Sequence, residues 1–320
     1  MKSWLWLLLA PVLISGCAHR WHAALLEPLP PSDGPAVHAT WLGTAGFLLS
    51  DGRTRLLIDP FVSRPRFLRV ALQHRLRIEE GHIADWINRI GAQGTTAVLV
   101  SHSHYDHVMD APAFAKHTGA VVVGSASTCN VAIGYGLAPG SRCVTVSPTE
   151  PTELTFGAFR VTFRPSRHGL VLFDRVPYPG TIDAPLVPPV SVSDYRVGAV
   201  YGLVIEHPLG TIVHHGSAAW LPDTYRDVKA DVVLLGLTGR KDTAAYLEDV
   251  VEAVGAKRLV PMHFDNPFRA LDEPSLDEPL RPLKSANVDE FFKEVAKKRP
   301  KLHIEVLPIG TPRVLLGRGR

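Results

Sequence analysis

The stretch Val98-Leu99-Val100-Ser101-His102-Ser103-His104-Tyr105-Asp106-His107 decides how the rest of the chain is interpreted. Together with Ala97, its first three residues form a wholly apolar run, as in a short strand inside a sheet that is covered on both faces. Three imidazoles and one carboxylate follow within six residues. Such groups are costly to place at the end of a buried strand unless something binds them. Neutral imidazoles and a carboxylate suit zinc, iron or manganese better than calcium or magnesium, so the stretch predicts a metal site.

The spacing within this stretch predicts two neighbouring ions. His102 and His104, two residues apart on an extended turn, can face one ion. Asp106 and His107 can turn toward a second ion a few ångströms away. The alternative is a solvated polar loop without metal, which the density of ligand side chains disfavours.

The composition limits the class of protein. The chain has 320 residues, of which 46% are hydrophobic and 20% are charged, and these values exclude a disordered chain. The formal net charge of +3 is too slight to indicate nucleic acid as a partner. No linker-like change of composition interrupts residues 36–320, so we predict one domain there.

The order of apolar segments predicts an α/β fold. Strand-like runs come first and strand–helix alternation follows. This order of elements occurs twice along the chain. It favours two sheets packed face to face with helices outside. We expect Asp110 to cap one helix, and an amphipathic helix to extend from Thr243 to Val254.

Residues 1–17 are expected to be a signal segment rather than part of the fold. Lys2 precedes an apolar run that is shorter than the roughly 20 residues of a membrane span. Ile14-Ser15-Gly16-Cys17 resembles the bacterial lipobox, which implies a lipid on Cys17 and a proline-rich tether over residues 18–35. The alternative is an ordinary secretory signal in which the cysteine is incidental.

The lipobox resemblance implies a location in the bacterial cell envelope, lipid-anchored and facing the periplasm. In the enterobacterial sorting rule, an Asp directly after the lipidated cysteine holds a lipoprotein at the inner membrane. Position 18 is Ala, so the resemblance favours the outer membrane. Cys129 and Cys143 would then lie in an oxidising compartment, where they either pair or remain two buried thiols.

The motif His102-x-His104-x-Asp106-His107 resembles the signature of the metallo-β-lactamase superfamily, and the resemblance extends over most of residues 36–310. The segment from Trp41 to Leu49 looks like the opening hairpin of that superfamily, and Asp59 looks like its structural aspartate. His168 lies where the third histidine of the first site is expected, and His263 where the last histidine of the second site is expected. The subgroup that it resembles contains ascorbate-phosphate lactonase and an N-acyl-phosphatidylethanolamine phospholipase D.

This resemblance implies a four-layer αββα metallo-β-lactamase sandwich that hydrolyses a phosphodiester, phospholipid-like or lactone substrate. The cofactor would be one or two zinc ions, with manganese and iron as alternatives. The metal ligands would be His102, His104 and His168 at the first site, and Asp106, His107 and His263 at the second. Asp106 would also be catalytic, by orienting the attacking hydroxide. Oxidoreductases of this fold carry glutamate in place of His104, so a di-iron oxygen-reducing role is disfavoured.

One position departs from the superfamily pattern. The strand that ends in Gly-Asp in the family reads Thr211-Ile212-Val213-His214-His215-Gly216-Ser217 here, so Ser217 replaces the carboxylate that bridges the two ions. Either His214 or His215 supplies a replacement ligand, or one site is weak, or catalysis is lost. Successive strand residues point to opposite faces, so at most one of the two histidines points inward. The alternative function is therefore a non-catalytic metal-binding lipoprotein.

Two further segments are candidates for substrate binding. Five arginines lie between residues 64 and 77, and they form either a solvated face or a site for an anionic, lipid-like headgroup; they are Arg64, Arg66, Arg69, Arg75 and Arg77. The proline-rich segment Leu170–Gly198 has no periodic pattern, so we expect a mobile cover over the site that carries Phe173 and Tyr178.

Overall fold

The structure is a computed structural model that describes residues 34–171, 174–272, 280 and 282–317. The predicted signal segment with Cys17, residues 18–33 of the tether, and Phe173 lie outside the described residues. No helix in the described part of the chain has both the length and the apolar character that crossing a membrane requires.

The strands of the described residues form two sheets of seven. The first sheet has the order β14-β1-β2-β3-β4-β5-β6 and the second has the order β13-β12-β11-β10-β9-β8-β7. Their bounds are β1 Ala36–Gly43, β2 Gly46–Ser50, β3 Arg55–Ile58, β4 Ala97–Leu99, β5 Val121–Gly124, β6 Cys143–Thr145, β7 Thr152–Phe156, β8 Phe159–Pro165, β9 Tyr201–His207, β10 Gly210–His215, β11 Val232–Gly236, β12 Arg258–Met262, β13 His303–Ile304 and β14 Pro312–Gly317.

Helices connect the parallel strands and cover the outer faces of the sheets. They are α1 Phe67–Ala71, α2 Glu80–Ile90, α3 Tyr105–Val108, α4 Ala111–Thr118, α5 Ala126–Gly134, α6 Thr243–Tyr246 and α7 Val288–Lys298. The strands β3 to β6 and β10 to β13 pair in parallel, and the remaining neighbours pair antiparallel.

The side chains of the central strands alternate between two hydrophobic cores. Leu56 and Ile58 of β3 point between the sheets, whereas Leu57 points to the helices outside. Ala97 and Leu99 of β4 pack in the core between the sheets. This alternation explains why a fully apolar run suits a strand that is covered on both faces. The predicted α/β four-layer sandwich is confirmed.

Two local predictions need correction. The helix expected from Thr243 to Val254 begins as α6 but continues as π-helix over Leu247–Glu252. The carboxylate of Asp110 does not cap α4. It accepts hydrogen bonds from the amides of Val62 and Ser63, at 2.7 and 2.8 Å, and thereby fixes the loop after β3.

A disulfide joins Cys129 of α5 to Cys143 of β6, with the two Cα atoms 5.6 Å apart. The sequence left pairing and free thiols equally open, because it could not show this separation. The bond ties a helix to the edge strand of the first sheet, where β6 has a single neighbour. It therefore adds a covalent link to an edge strand that is paired on one side only.

Removal of this disulfide should lower the free energy of unfolding by about 3 kcal/mol, because it closes a loop of 14 residues in the unfolded chain. The measurement is denaturant unfolding of Cys129→Ser/Cys143→Ser beside the native chain. The native chain in reductant should unfold like the double variant. An unfolding midpoint that neither reductant nor the double substitution lowers would contradict this account.

Candidate metal centre

All the predicted ligands lie at one edge of the sandwich, where strands of both sheets end. His102 and His104 follow β4, and His168 follows β8. His263 is the residue directly after β12. Because loops at strand ends bring distant parts of the chain together, residues more than 150 positions apart meet at this edge.

The side chains form two adjacent groups of three that could hold a metal ion. One group is His102, His104 and His168, and the other is Asp106, His107 and His263. Within each group the ligand atoms all lie within 4.8 Å of one another. The ring centroids of His102 and His107 are 3.8 Å apart, so the two groups are neighbours.

Hydrogen bonds fix which nitrogen of each first-group imidazole carries the proton. The Nε2–H of His104 donates to the carbonyl of Pro177 at 2.8 Å, and the Nδ1–H of His168 donates to the carbonyl of Gly169 at 2.6 Å. The lone pairs of the other two nitrogens therefore face each other, with His104 Nδ1 and His168 Nε2 only 3.1 Å apart. Two facing lone pairs repel unless a cation lies between them.

The ring of His102 is oriented through Ser101. The hydroxyl of Ser101 donates to Asp59 Oδ2, so it accepts the Nδ1–H of His102 at 3.2 Å. The Nε2 atom of His102 then carries a lone pair, and it is buried without a hydrogen-bond partner. One nitrogen of His214 and one of His215 are likewise buried without a partner, but His102 is the one grouped with His104 and His168, where a metal ion would satisfy it.

The first-group imidazoles are neutral at pH 7, so a proton does not lie between their facing lone pairs. Burial lowers the pKa of His104 to about 4, and it lowers that of His168 to about 3 with help from His104. Burial and then the neighbouring imidazoles lower the pKa of His102 well below its usual value. Two nitrogens bound to one tetrahedral zinc would lie about 3.3 Å apart, close to the separation between His104 and His168. The donor set and the geometry both fit a metal ion.

The second group differs, because a proton can satisfy it. The Nδ1–H of His107 donates to Asp59 Oδ2 at 2.8 Å, so its Nε2 lone pair faces His263 Nε2 at 3.1 Å. The latter nitrogen is also 3.3 Å from Asp106 Oδ2. Burial opposes a charge on His263, but the hydrogen bond to Asp106 raises its pKa. Burial would likewise raise the pKa of Asp106, yet His107 and His263 lower it below its usual value. A proton on His263 thus links the three side chains of this group, which could otherwise hold an ion.

The structure brings neither of the two candidate replacement histidines into these groups. The Nε2–H of His214 donates to the carbonyl of Ala45 at 2.8 Å. His215 points to the opposite face of β10, where its Nδ1 lies 2.6 Å from the hydroxyl of Tyr225. The hydroxyl of Ser217 accepts a hydrogen bond from the Gly169 amide at 3.0 Å, and so it fixes the loop that carries His168.

Several positioning residues were not predicted from the sequence. The Pro177 carbonyl orients His104, and a backbone carbonyl has no signal in residue type. The hydroxyl of Ser101 connects Asp59 to His102. The only sequence feature that could have indicated this role is the position of Ser101 directly before the motif. Gly216 lets the end of β10 approach closely, because a Cβ there would lie 3.2 Å from Asp59 Oδ2.

The proline-rich segment covers the first group, but over the described residues it is held in place. The ring of Tyr178 lies 6.4 Å from that of His104. The amide of Ile182 donates to Ser127 of α5 at 2.9 Å, and the carbonyl of Val197 accepts from the Ser103 amide at 2.9 Å. The segment is thus anchored at these points, and its mobility stays a prediction.

A buried ion pair supports the loop of His263. Arg64 Nη2 lies 2.6 Å from Asp265 Oδ2, and both side chains are buried. The other oxygen of Asp265 accepts from the Thr44 amide at 2.8 Å, and the Thr44 carbonyl accepts from the amide of His263 at 2.8 Å. His263 has a φ of 54°, a strained conformation that these contacts hold.

Comparison with known proteins agrees with this geometry. The family model of the beta-lactamase superfamily domain matches residues 54–264. The chain belongs to this superfamily. A UPF0173 metal-dependent hydrolase from Methylobacterium nodulans is 27% identical over 230 residues, which cover 70% of this chain and 84% of that protein. Another, from Rhizobium etli, is 33% identical over 129 residues, which cover 40% of this chain and about half, 47%, of that protein.

Solved structures of other proteins share the fold. Igni18, a metallo hydrolase from Ignicoccus hospitalis, superposes with a TM-score of 0.58 at 17% identity, and the match covers 88% of this chain and all of that one. An isothiocyanate hydrolase from Delia radicum gut bacteria gives a TM-score of 0.52 at 14% identity, with 88% of this chain and 100% of that chain covered. At this identity the likeness shows the fold alone.

The lone-pair geometry predicts which histidines this superfamily member needs for metal. His102→Ala should weaken zinc binding by more than about a hundredfold and abolish the zinc-dependent rise in melting temperature. His214→Ala removes an equally buried imidazole that is outside both groups, so it should leave zinc affinity within about threefold of the native value. Zinc titration and thermal unfolding of the two variants measure this. Equal zinc loss in both variants, or in neither, would contradict the ligand assignment.

Proposed function

We propose that this protein is a metal-dependent hydrolase that acts on a phosphodiester, phospholipid-like or lactone substrate. The observation that carries the proposal is the convergence of three neutral imidazole lone pairs in the first group. His102, His104 and His168 would hold the first ion. Asp106, His107 and His263 would hold a second. We propose zinc, with manganese and iron as alternatives.

A bound metal supplies two effects to such a reaction: it lowers the pKa of water toward neutrality, and it polarises the substrate oxygen under attack. The chain supplies the orientation. Asp59 holds the His107 ring directly and the His102 ring through Ser101. Pro177 and Gly169 hold the tautomers of His104 and His168.

Asp106 is the residue that we propose as catalytic. Its lowered pKa keeps it ionised at neutral pH, so it is an acceptor that can orient an attacking water. Its side chain is only partly buried, with 15% exposed, and it can therefore meet a molecule that enters from solvent. The anchored segment with Tyr178 restricts access on the side of His104.

The alternative function is a metal-binding lipoprotein without turnover, and the residue that favours it is Ser217. Two dications about 4 Å apart repel by roughly 16 kcal/mol at an effective dielectric constant of 20, so anionic ligands decide whether a second ion stays. Asp106 is the one carboxylate of the two groups. A serine hydroxyl that is already bonded to the Gly169 amide adds no charge.

We also propose, from the lipobox resemblance, that Cys17 carries lipid and anchors the domain in the cell envelope, facing the periplasm. The outer membrane is the proposed destination, because Ala18 follows Cys17. The pairing of Cys129 with Cys143 supports an oxidising compartment. An anionic small molecule or lipid-like molecule is the proposed substrate, and nucleic acid is not proposed as a partner.

Substitution of Ser217 separates the two functions. Ser217→Asp should strengthen binding of the second zinc ion by at least about tenfold, because it adds an anionic oxygen between two cations. Ser217→Asn is the matched control, since it has a similar shape without the charge. The measurements are zinc titration and hydrolysis of bis(p-nitrophenyl) phosphate and of a lactone.

We expect zinc-dependent hydrolysis in the native chain, lost in His102→Ala and increased in Ser217→Asp but not in Ser217→Asn. Zinc binding without hydrolysis in the native chain and in Ser217→Asp would favour the binding protein. A native chain that already binds two zinc ions equally tightly would show that Ser217 does not weaken the second site.

A further inference from the structure

The helix α1 exposes large apolar side chains to solvent. None of its five residues is buried. Phe67, Leu68 and the following Leu72 have exposed fractions of 58%, 67% and 62%. In the described ranges the other exposed large hydrophobic side chains are Val187, at 67%, and Leu170, at 37%. A concentration of such side chains on one short helix indicates an interaction surface rather than random exposure.

Four arginines lie in the same segment of the chain as these apolar side chains. They are all exposed, and within the described residues none of them forms an ion pair with a carboxylate; they are Arg66, Arg69, Arg75 and Arg77. Arg64, which the sequence grouped with them, is buried against Asp265 and belongs to the support of His263. Exposed apolar side chains combined with arginines that pair with no carboxylate are typical of segments that lie in the interface of an anionic bilayer.

The patch lies at the rim of the metal centre. The ring of Phe67 packs on Phe268, in the loop after His263, with centroids 5.2 Å apart. Gln73 Nε2 donates to the hydroxyl of Tyr178 at 3.1 Å, and Tyr178 lies beside His104. A surface bound to α1 would therefore also lie beside the segment that covers His104.

We propose that α1, with Phe67, Leu68, Leu72 and the four exposed arginines as one docking patch, binds an anionic lipid surface and turns the metal centre toward it. A stable protein interface buries about 800 Å² on each partner. Three apolar side chains on and beside a five-residue helix cover only part of that area, whereas together with four exposed arginines they match apolar insertion under phosphate headgroups. The docking selects the phospholipid-like substrate class, and in that respect it rests on the proposed function.

The test places a polarity-sensitive fluorophore on the patch. Leu68→Cys is labelled in the full chain with Cys17→Ser, so that the label has one site, while Cys129 and Cys143 remain paired. Lys297→Cys, on the exposed side of α7, is the matched control in the same chain. Both are titrated with vesicles of phosphatidylcholine alone and of phosphatidylcholine with phosphatidylglycerol.

We expect a blue shift at position 68 with phosphatidylglycerol vesicles and none at position 297. Replacement of the four arginines by glutamine should raise the lipid concentration for half-maximal shift by at least about tenfold. No shift at position 68, an equal shift at both positions, or an equal response to both vesicle types would overturn the proposal. A blue shift that depends on protein concentration without vesicles would assign the patch to a protein contact instead. The readout needs no turnover, so it can fail while zinc-dependent hydrolysis stands, or succeed where hydrolysis fails.

Discussion

The carboxylate of Asp59 accepts hydrogen bonds from the Ser101 amide, the Ser101 hydroxyl and His107 Nδ1, and these contacts connect the end of β3 to the loop after β4. The backbone of Asp59 is strained, with a φ of 42°, and this conformation aims both oxygens into the loop. The ring orientations of His107 and, through Ser101, of His102 follow from it. One buried carboxylate thus sets a ligand nitrogen in each of the two groups.

The two groups share this support but differ in their need for a cation. The first has three lone pairs and no carboxylate, so in the absence of metal it keeps an unfavourable arrangement of neutral acceptors. The second contains Asp106 and can hold a proton on His263. The loss of the family's bridging carboxylate at Ser217 therefore affects the second ion more than the first. The first site therefore has its ligands oriented for metal, whereas a metal ion at the second site must displace the proton on His263 without the help of a bridging carboxylate.

Sequence patterns predicted the parts of the fold that depend on local periodicity. The apolar run Ala97–Val100 and the four ligands from His102 to His107 follow from residue type and order, whereas His168 and His263 were expected from the resemblance to the superfamily. The pairing of β14 with β1 could not be predicted, because it joins residues almost 280 positions apart. The tautomers depend on the carbonyls of Pro177 and Gly169, which every residue possesses. Alternation along β10 shows that His214 and His215 point to opposite faces, but it does not show which of them points inward. The register of β10 decides this.

If the lone pairs of His102, His104 and His168 bind one metal ion, crystals grown with zinc will show it at the zinc absorption edge. We expect an anomalous peak about 2.0–2.1 Å from His102 Nε2, His104 Nδ1 and His168 Nε2, stronger than any peak beside Asp106, His107 and His263. A strongest peak at His214 or His215, or no peak at this edge of the sandwich, would contradict it.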